Sequence, residues 1–351
     1  MIKKVLLYPF ALLFLFLVRL RLLFYALKWL PSRKVSCPVV CIGNLSVGGT
    51  GKTPWVQLLC LFFESINKKV VILTRGYKGE YEGIVKVEND SDPRLVGDEP
   101  LWLKRNTSSL VYVSHHRYEG ALKVIEDENP DLILLDDGYQ HLALQRDINF
   151  LILDASAKKD SYQMLPLGRL REPFSHVKRA SFVIINKCNY AEEGAVDWLT
   201  TQIQPFLKNP KNLFFADYQF DSWQPLFAEG VQEFPQSSLA LCCGVGNPRG
   251  FVATVEEQNI AVEKSFIFPD HYFWKTIDIE KMTHLMGQLG LKHLLITEKD
   301  AVKLVRYRKH FKDMGIQLWM CKMKIDLKDQ ENVFFKQMKG QFAEILKGEI
   351  E

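Results

Sequence analysis

Short apolar runs alternate with longer amphipathic stretches along most of the chain after Pro31. The runs are rich in Val, Ile and Leu and lack strict alternation, which is typical of strands buried on both faces of a parallel sheet. The amphipathic stretches between several of them predict helices that form right-handed crossovers. In the first half the runs are PVVCIG (38–43), KVVILT (69–74), LVYV (110–113), DLILLDD (131–137), INFLILD (148–154) and SFVIIN (181–186).

A second set of α/β segments follows an irregular stretch. From about residue 205 to 238 the chain mixes Pro, Asn, Asp and aromatic residues, which predicts a linker. Beyond it, apolar segments at 239–255, 265–271 and 293–305 precede a predicted strand at 316–325 and an amphipathic helix at 329–347. The sequence therefore predicts an N-terminal helix (1–30), a larger α/β domain (31–210), a linker (211–238) and a smaller α/β domain with a C-terminal helix (239–351).

The first thirty residues have a different pattern. Fourteen residues without charge, from Val5 to Val18, precede Arg19 and Arg21. A secretory signal also has a basic start and an apolar middle, but no small-residue cleavage site follows here. Because the side chains are apolar on every face and the flanks are basic, lipid is favoured over the interior of a soluble domain. Both a spanning helix and a helix lying in the interface agree with this pattern.

The charge of the chain is divided unevenly. Residues 1–34 contain seven basic residues and no acid, whereas the remainder contains 38 basic and 41 acidic residues, a net charge of −3. Nucleic-acid binding depends on clustered Lys and Arg, so the main body of the chain is a poor platform for it. The basic excess belongs to the segment that we expect to contact membrane lipids.

Seven cysteines are present, and they include no CxxC pair. Most lie in apolar runs, which favours buried free thiols in a reducing compartment over a disulfide framework or a zinc site. They are Cys37, Cys41, Cys60, Cys188, Cys242, Cys243 and Cys321.

A glycine-rich segment follows the first apolar run. The letters SVGGTGKT match the phosphate-loop pattern Gly-x4-Gly-Lys-Ser/Thr at every position except the first. The lysine is expected to contact the β- and γ-phosphates and the final hydroxyl to ligate Mg²⁺, which favours a P-loop NTPase-like fold over a plain glycine turn. The predicted nucleotide-binding residues are Ser46, Val47, Gly48, Gly49, Thr50, Gly51, Lys52 and Thr53.

Two adjacent acids, Asp136 and Asp137, end the apolar run DLILLDD. Carboxylates at the end of a buried strand beside a phosphate loop are typical ligands of Mg²⁺. The alternative is a turn, since Asp-Gly is common turn chemistry. A third acid, Asp98 in VGDEP, is explained equally well as a helix N-cap with Pro100 in the first turn.

Nine segments together resemble one known family. They are GNLSVGGTGKTPW, LTRGYKG, VGDEP, HHRYEGA, LLDDGYQH, PLGRLREP, CGVGNPRGF, FPDHYFW and TEKDAVKL, in this order. With the apolar N-terminus included, the resemblance extends from about residue 1 to 305. The chain resembles the tetraacyldisaccharide 4′-kinases of Gram-negative bacteria, whose phosphate loop has a small hydroxyl residue where Ser46 stands.

The resemblance implies ATP- and Mg²⁺-dependent phosphorylation of the 4′-hydroxyl of a tetraacylated glucosamine disaccharide 1-phosphate. It places the enzyme at the cytoplasmic face of the bacterial inner membrane, where lipid A is made, without an obligate protein partner. It implies a dyad in which Asp98 accepts or orients the hydroxyl proton and His271 is its partner. Metal ligands are expected among Thr53, Glu99, Asp136 and Asp137, and substrate or phosphate contacts among Tyr77, Arg117, Gln140, His141, Arg169 and Arg171.

Two other functions agree with part of the sequence. A membrane-tethered nucleotide switch that recruits a partner would use the same phosphate loop but would hydrolyse nucleotide without an acceptor. A soluble small-molecule kinase or ligase would keep its activity after removal of residues 1–30. A pure binding module explains least, because Thr53 and the two adjacent acids equip the site for Mg²⁺ as well as for phosphate.

Overall fold

The structure is a computed structural model that describes residues 2–227, 233–235 and 238–347. Parts of the predicted linker and the last four residues of the predicted C-terminal domain lie outside the described residues. Within the described residues the chain builds one sheet of twelve strands, with the order β10-β9-β11-β12-β8-β7-β6-β1-β5-β2-β4-β3.

The strands of this sheet are mostly parallel. Only two of the described pairs, β3 with β4 and β8 with β12, are antiparallel. The first seven strands are β1 (Val39–Asn44), β2 (Val70–Thr74), β3 (Ile84–Val87), β4 (Leu110–Ser114), β5 (Leu132–Asp136), β6 (Ile148–Asp154) and β7 (Phe182–Asn186). The others are β8 (Leu213–Pro225), β9 (Leu239–Cys243), β10 (Val262–Ile267), β11 (His293–Thr297) and β12 (Gln317–Asp326).

Helices cover the sheet and connect its strands. The first six are α1 (Ile2–Ala26), α2 (Lys52–Ser65), α3 (Pro93–Val96), α4 (Asp98–Asn106), α5 (Arg117–Glu128) and α6 (Ala195–Ile203). The others are α7 (Pro248–Glu257), α8 (Thr276–Gln288), α9 (Glu298–Leu304), α10 (Arg308–Asp313) and α11 (Glu331–Lys347). The α/β fold and its mostly parallel sheet, predicted from the apolar runs, are confirmed.

The central strands are buried because their sequences are apolar on both faces. Every residue of β1, β2, β5 and β7 is buried. Strand β1 lies between β5 and β6, with Ile42 beside Asp136 in the first pair and Asn44 beside Ile152 in the second. The loops after β1, β5 and β6 therefore leave the sheet at the same edge, which is where ligands bind in open α/β sheets.

Part of the segment predicted to be an irregular linker forms a strand in the structure. Residues 213–225 form β8, a 13-residue strand that is parallel to β7 and antiparallel to β12. Most of its residues are half-buried, and the polar residues Asp221 and Gln224 are exposed, so the strand tolerates polar residues among the aromatic ones. The two halves of the chain consequently share a continuous sheet through β8. The exact domain boundaries remain a prediction.

Helix α1 lies mostly outside the folded body. Its segment Leu6–Ala26 has 21 residues, a mean hydropathy of 2.0 and only 6% of its most apolar window buried. Large apolar side chains such as Phe10 and Phe16 are about 60% exposed. By length and composition this helix is able to cross a membrane, which agrees with the predicted association with lipid.

Candidate active site

The glycine-rich loop connects β1 to α2 at the edge where the parallel strands end. Gly48 and Gly51 have φ values of 101° and 85°, a region that side chains with a Cβ rarely adopt. Helix α2 begins at Lys52, and Gly51 occupies its N-cap position. Thr53 consequently lies in the first turn, where unpaired backbone N–H groups and the helix dipole favour an anion.

Polar residues from two neighbouring strand ends, those of β6 and β7, hold this loop. Lys187 Nζ donates to the carbonyl of Gly49 and to Asp154 Oδ2, both at 2.8 Å. Asn186 Nδ2 donates to the carbonyl of Thr50 at 3.1 Å. These residues were not among those predicted from the sequence. The signal that could have found them is SFVIIN, an apolar strand that ends in a polar residue followed by Lys.

Arg169 also contacts the loop. Its Nε donates to the Val47 carbonyl at 2.9 Å, and its own carbonyl accepts from the Val47 N–H at 2.8 Å. A Cβ at Gly48 would lie 1.8 Å from the guanidinium. Arg169 therefore fixes the backbone of the phosphate loop. Whether it also contacts phosphate stays a prediction.

Asp136 and Asp137 lie beside the loop in different electrostatic environments. Thr74 Oγ1 donates to Asp136 Oδ2 at 3.1 Å, whereas the buried Oδ1 has no hydrogen-bond partner among the described residues. Burial, followed by the negative charges of Glu99 and Asp137, raises the pKa of Asp136 to about 7. This carboxylate thus lacks the positive charge that its burial requires.

Asp137 is compensated by cations. Lys52 Nζ lies 3.6 Å and Arg171 Nη2 lies 3.0 Å from its Oδ1. Burial alone would raise the pKa of Asp137, but these two charges outweigh it and lower the pKa to about 2. Arg171 also donates to the side chain of Asn44, so it ties Asp137 to the end of β1.

The acids near the loop are suited to Mg²⁺. In the part of the chain that the structure describes, no three His, Cys, Asp or Glu side chains are grouped closely enough to hold a metal by themselves. Mg²⁺ bound with nucleotide does not need such a group, since it takes one or two carboxylates and completes its shell with phosphate oxygens and water. The unpaired, buried Oδ1 of Asp136 and the nearby charge of Glu99 match this donor set.

Asp98 and His271 meet across the two halves of the chain. His271 Nδ1 lies 3.3 Å from Asp98 Oδ2. Gly97, with φ 92°, is the N-cap of α4, so Asp98 is its first residue and the alternative explanation of Asp98 as the cap is wrong. The contact is made in this structure, without further approach of the two halves.

Cations from α9 also surround this pair. Lys303 Nζ lies 3.4 Å from Asp98 Oδ2, and Lys299 Nζ lies 2.9 Å from His271 Nε2. Burial alone would raise the pKa of Asp98, but the hydrogen bond from His271 and the charge of Lys303 outweigh it and lower the pKa. The letters TEKD fit an ordinary helix start with Thr297 as its cap, so the sequence alone does not point to Lys299.

The remaining predicted contacts occupy several positions around the site. The Tyr77 ring is 58% exposed and lies 5.5 Å from the His271 ring. Gln140 Nε2 donates to the Asn44 carbonyl at 2.8 Å. His141 is half-buried, and burial followed by the charge of Arg117 lowers its pKa to about 4.

Arg117 has a buried side chain and is not a solvated surface charge. It is 4% exposed and donates to the carbonyls of Ser114 and His115 at 3.2 and 3.3 Å. Burial lowers the pKa of its guanidinium. Its charge acts on both Asp137 and His141, which places it near the loop after β5.

Comparisons with known proteins agree with this geometry. A family model for tetraacyldisaccharide-1-P 4′-kinase matches residues 3–342. The tetraacyldisaccharide 4′-kinase of Bdellovibrio bacteriovorus is 33% identical over 298 residues, covering 83% of this chain and 86% of its own. That of Geobacter sulfurreducens is 32% identical over 294 residues, covering 82% and 80%.

A solved structure gives the same result. The crystal structure of the "apo" form of LpxK from Aquifex aeolicus in complex with ATP has a TM-score of 0.75 and 28% identity, covering 97% of this chain and 99% of that one. The family and the enzyme class predicted from the nine segments are confirmed. This chain belongs to the tetraacyldisaccharide-1-P 4′-kinase family.

Proposed function

We propose that the chain transfers the γ-phosphoryl group of ATP to the 4′-hydroxyl of a tetraacylated glucosamine disaccharide 1-phosphate, and that the reaction occurs between the phosphate loop and Asp98. The observation that supports this location of the reaction is an electrostatic interaction between the two sides of the site. Glu99, next to Asp98, acts on Asp136, which lies beside the loop. A hydrogen-bonded acid and a phosphate loop are therefore neighbours across one cleft.

The loop binds the triphosphate. Its backbone N–H groups and the start of α2 contact the β- and γ-phosphates, and Lys52 neutralises them. To contact the phosphates, the Lys52 ammonium either leaves Asp137 or is shared between Asp137 and the phosphates. The relative from Aquifex aeolicus, described as a complex with ATP, supports this choice of nucleotide.

The residues that would hold Mg²⁺ are Thr53 and the acids Asp136 and Asp137, with Glu99 nearby. When bound, the ion neutralises the negative charge that develops on the transferring group. The chain's own contribution is to keep one carboxylate oxygen of Asp136 buried and without a hydrogen-bond partner among the described residues.

Asp98 acts as the base that positions the acceptor hydroxyl. Its described contacts with His271 and Lys303 both fall on Oδ2. Oδ1 is the oxygen that accepts the hydroxyl proton. A carboxylate of low pKa is a weak base, but phosphoryl transfer through a loose transition state needs positioning more than proton abstraction.

The other predicted side chains contact the acceptor or the phosphates. Arg171 and Arg169 reach phosphate from the loop side, because guanidinium groups match phosphate oxygens in shape and charge. Arg117 contributes from the start of α5, and His141 contributes from the loop after β5. Tyr77 and Gln140 line the cleft.

The membrane supplies the acceptor to this site. A tetraacylated lipid leaves a bilayer at a cost of about 0.8 kcal/mol for each CH₂ exposed to water. The exposed apolar surface of α1 holds the enzyme where the lipid is, and Arg19 approaches anionic head groups. Arg21 instead donates from Nη2 to the Gln140 carbonyl at 2.9 Å, a contact that ties α1 to the folded body. ATP and the seven free cysteines fit the cytoplasmic face of the inner membrane.

The experiment that tests this function is direct. The protein is incubated with labelled ATP, Mg²⁺ and a tetraacylated disaccharide 1-phosphate, and in parallel with its deacylated counterpart. Label on the 4′ position of the lipid is the expected result. Label released as inorganic phosphate without an acceptor would support a nucleotide switch. Preference for the deacylated acceptor would support a soluble sugar kinase.

A further inference from the structure

Helix α9 presents two lysines to the Asp98–His271 pair. Lys299 and Lys303 are four residues apart, a spacing that places both on one face of a helix. Lys299 contacts the imidazole and Lys303 contacts the carboxylate. The contacts span the two halves of the chain, since Asp98 begins α4 and the lysines belong to the C-terminal half.

The hydrogen bond from Lys299 determines which ring nitrogen of His271 carries the proton. An ammonium group donates hydrogen bonds and accepts none, so His271 Nε2 must accept. The 2.9 Å contact therefore selects the neutral tautomer that carries its proton on Nδ1. That proton is aimed at Asp98 Oδ2, 3.3 Å away.

Lys303 is buried to an unusual degree for a lysine. Its side chain is 1% exposed, and its Nζ lies 3.4 Å from Asp98 Oδ2 and 3.5 Å from Asp300 Oδ1. Asp300 is fully buried and accepts from the Gly244 N–H at 3.0 Å and from Thr297 Oγ1 at 2.7 Å. Burying such charges is costly and often gives no net stability, so a requirement other than stability accounts for their presence.

We propose that Lys299 and Lys303 are positioning residues of the phosphoryl transfer, an inference that rests on the proposed function. Lys299 fixes the ring of His271, and Lys303 holds Oδ2 of Asp98, so that Oδ1 faces the acceptor hydroxyl. As the bond between the 4′-oxygen and the γ-phosphorus forms, the bond from that phosphorus to the β–γ bridging oxygen breaks. The hydroxyl proton passes to Asp98 Oδ1, and ADP leaves with the bridging oxygen.

The competing explanation is that the lysines only attach α9 to α4. Lys322 provides a matched control for it. Its Nζ donates to Asn106 Oδ1 at the last residue of α4 and forms an ion pair with Glu298 of α9. Lys322 thus joins the same two helices, with 17% of its side chain exposed, without contacting either member of the pair.

The test compares Lys299→Met, Lys303→Met, Lys303→Arg and Lys322→Met in the full-length protein with labelled ATP, Mg²⁺ and the lipid acceptor. We expect kcat to fall about 10²-fold in both Met variants at positions 299 and 303, because small displacements of a positioned group have effects of this size. The KM for ATP should stay within about threefold, and Lys303→Arg should recover part of kcat. Lys322→Met should lower thermal stability with kcat nearly unchanged.

The nitrogen chemical shifts of His271 report its tautomer. They would not change in Lys299→Met if Lys299 only attached α9 to α4. In wild type they should show the tautomer protonated on Nδ1, and in Lys299→Met that preference should be lost. Equal loss of kcat in Lys322→Met and Lys303→Met, or unchanged His271 shifts in Lys299→Met, would overturn the inference. If Lys303→Met does not fold, Lys299→Met decides, since that side chain is 23% exposed. A wild-type protein that does not phosphorylate the lipid would instead contradict the proposed function.

Discussion

Lys52 Nζ lies 3.6 Å from Asp137 Oδ1, so the lysine of the phosphate loop and the last acid of the β5 edge form an ion pair. The same lysine is the group that we propose neutralises the β- and γ-phosphates. Its ammonium therefore connects the nucleotide position with the metal position.

Replacing Lys52 by Ala should remove both interactions. We expect phosphoryl transfer to fall by at least about 10³-fold, a size known for groups that stabilise transition-state charge. The measurement is transfer of label from ATP to the lipid acceptor. Lys68→Ala serves as a control, because Lys68 pairs with Asp131 through a partly exposed ion pair away from the loop. Near-normal turnover of Lys52→Ala would refute the assignment of the loop.

Asp98→Ala should reduce kcat by about 10²- to 10⁴-fold, the range typical of general bases. ATP affinity, measured by equilibrium binding, should change little, because we propose that this side chain contacts the acceptor hydroxyl and not the nucleotide. An equal loss in kcat and in affinity would make Asp98 a structural residue.

His271→Ala should slow the same step, because it removes the N–H that Asp98 accepts. The double variant with Asp98→Ala should be no slower than Asp98→Ala alone, since residues that act as one unit are not additive. Full additivity of the two losses would rule out a dyad.

Lys187 supports the phosphate loop through its contacts with Gly49 and Asp154. Lys187→Met leaves the buried Asp154 carboxylate without its cation, so we expect a loss of about 1–3 kcal/mol in the free energy of unfolding. The dissociation constant for ATP should rise, with a smaller effect on kcat at saturating ATP. Denaturant unfolding and equilibrium binding measure the two effects. Unchanged ATP affinity would show that the loop keeps its conformation without Lys187.

Asp136 should make stability depend on pH. With its pKa raised to about 7, the folded protein keeps a proton that the unfolded chain loses near the ordinary value of 3.8. The folded state binds more protons between these values, so this group lowers the free energy of unfolding as pH rises through the window. The loss of stability from this group is complete once the pH is above the folded-state pKa of about 7.

Asp136→Asn should remove this dependence. With a chelator present, we expect the variant to be more stable than wild type at pH 8 by roughly 1–3 kcal/mol, since each pKa unit corresponds to about 1.4 kcal/mol. The variant should also lose kinase activity, because it lacks the carboxylate that we propose as a ligand of Mg²⁺. Asp131→Asn is the control. Burial alone would raise the pKa of Asp131, but hydrogen bonds from the Lys69 backbone N–H and the Lys68 side chain outweigh it and lower the pKa. The Asp131→Asn variant should therefore still lose stability between pH 4 and 7, as the wild type does. Equal stability of Asp136→Asn and wild type at pH 8 would contradict the raised pKa.

The sequence predicted those parts of the molecule whose pattern is local. Strands β1 and β5 are continuous apolar runs, and the phosphate loop carries its own glycines. Strand β8 was missed because LFFADYQFDSWQP mixes polar and aromatic residues, and its pairing with β12 joins segments about a hundred residues apart. Burial on both faces gives a sequence signal, whereas a half-buried strand with a distant partner gives little.

The same distinction applies to the site. Asp136 and Asp137 could be found because their strand precedes them directly. Lys303 meets Asp98 across 205 positions of sequence, and the letters TEKDAVKL satisfy an ordinary helix start with Thr297 as N-cap. Only the packing of α9 on α4 reveals that contact.

Helix α1 should bind the protein to lipid through its exposed apolar side chains. Phe10 and Leu17 are 60% and 51% exposed, and a Glu at each position would place charge in the region that we expect to contact acyl chains. The double variant should lose co-sedimentation with vesicles that contain anionic lipid, and so should a protein that lacks residues 1–30. Leu122→Glu on α5 is the matched control, since Leu122 is 45% exposed on the folded body. The double variant should still transfer phosphate from ATP to a detergent-dispersed acceptor, because we expect α1 to supply location and not chemistry. Unchanged co-sedimentation of the double variant and the truncated protein would show that another surface binds the membrane.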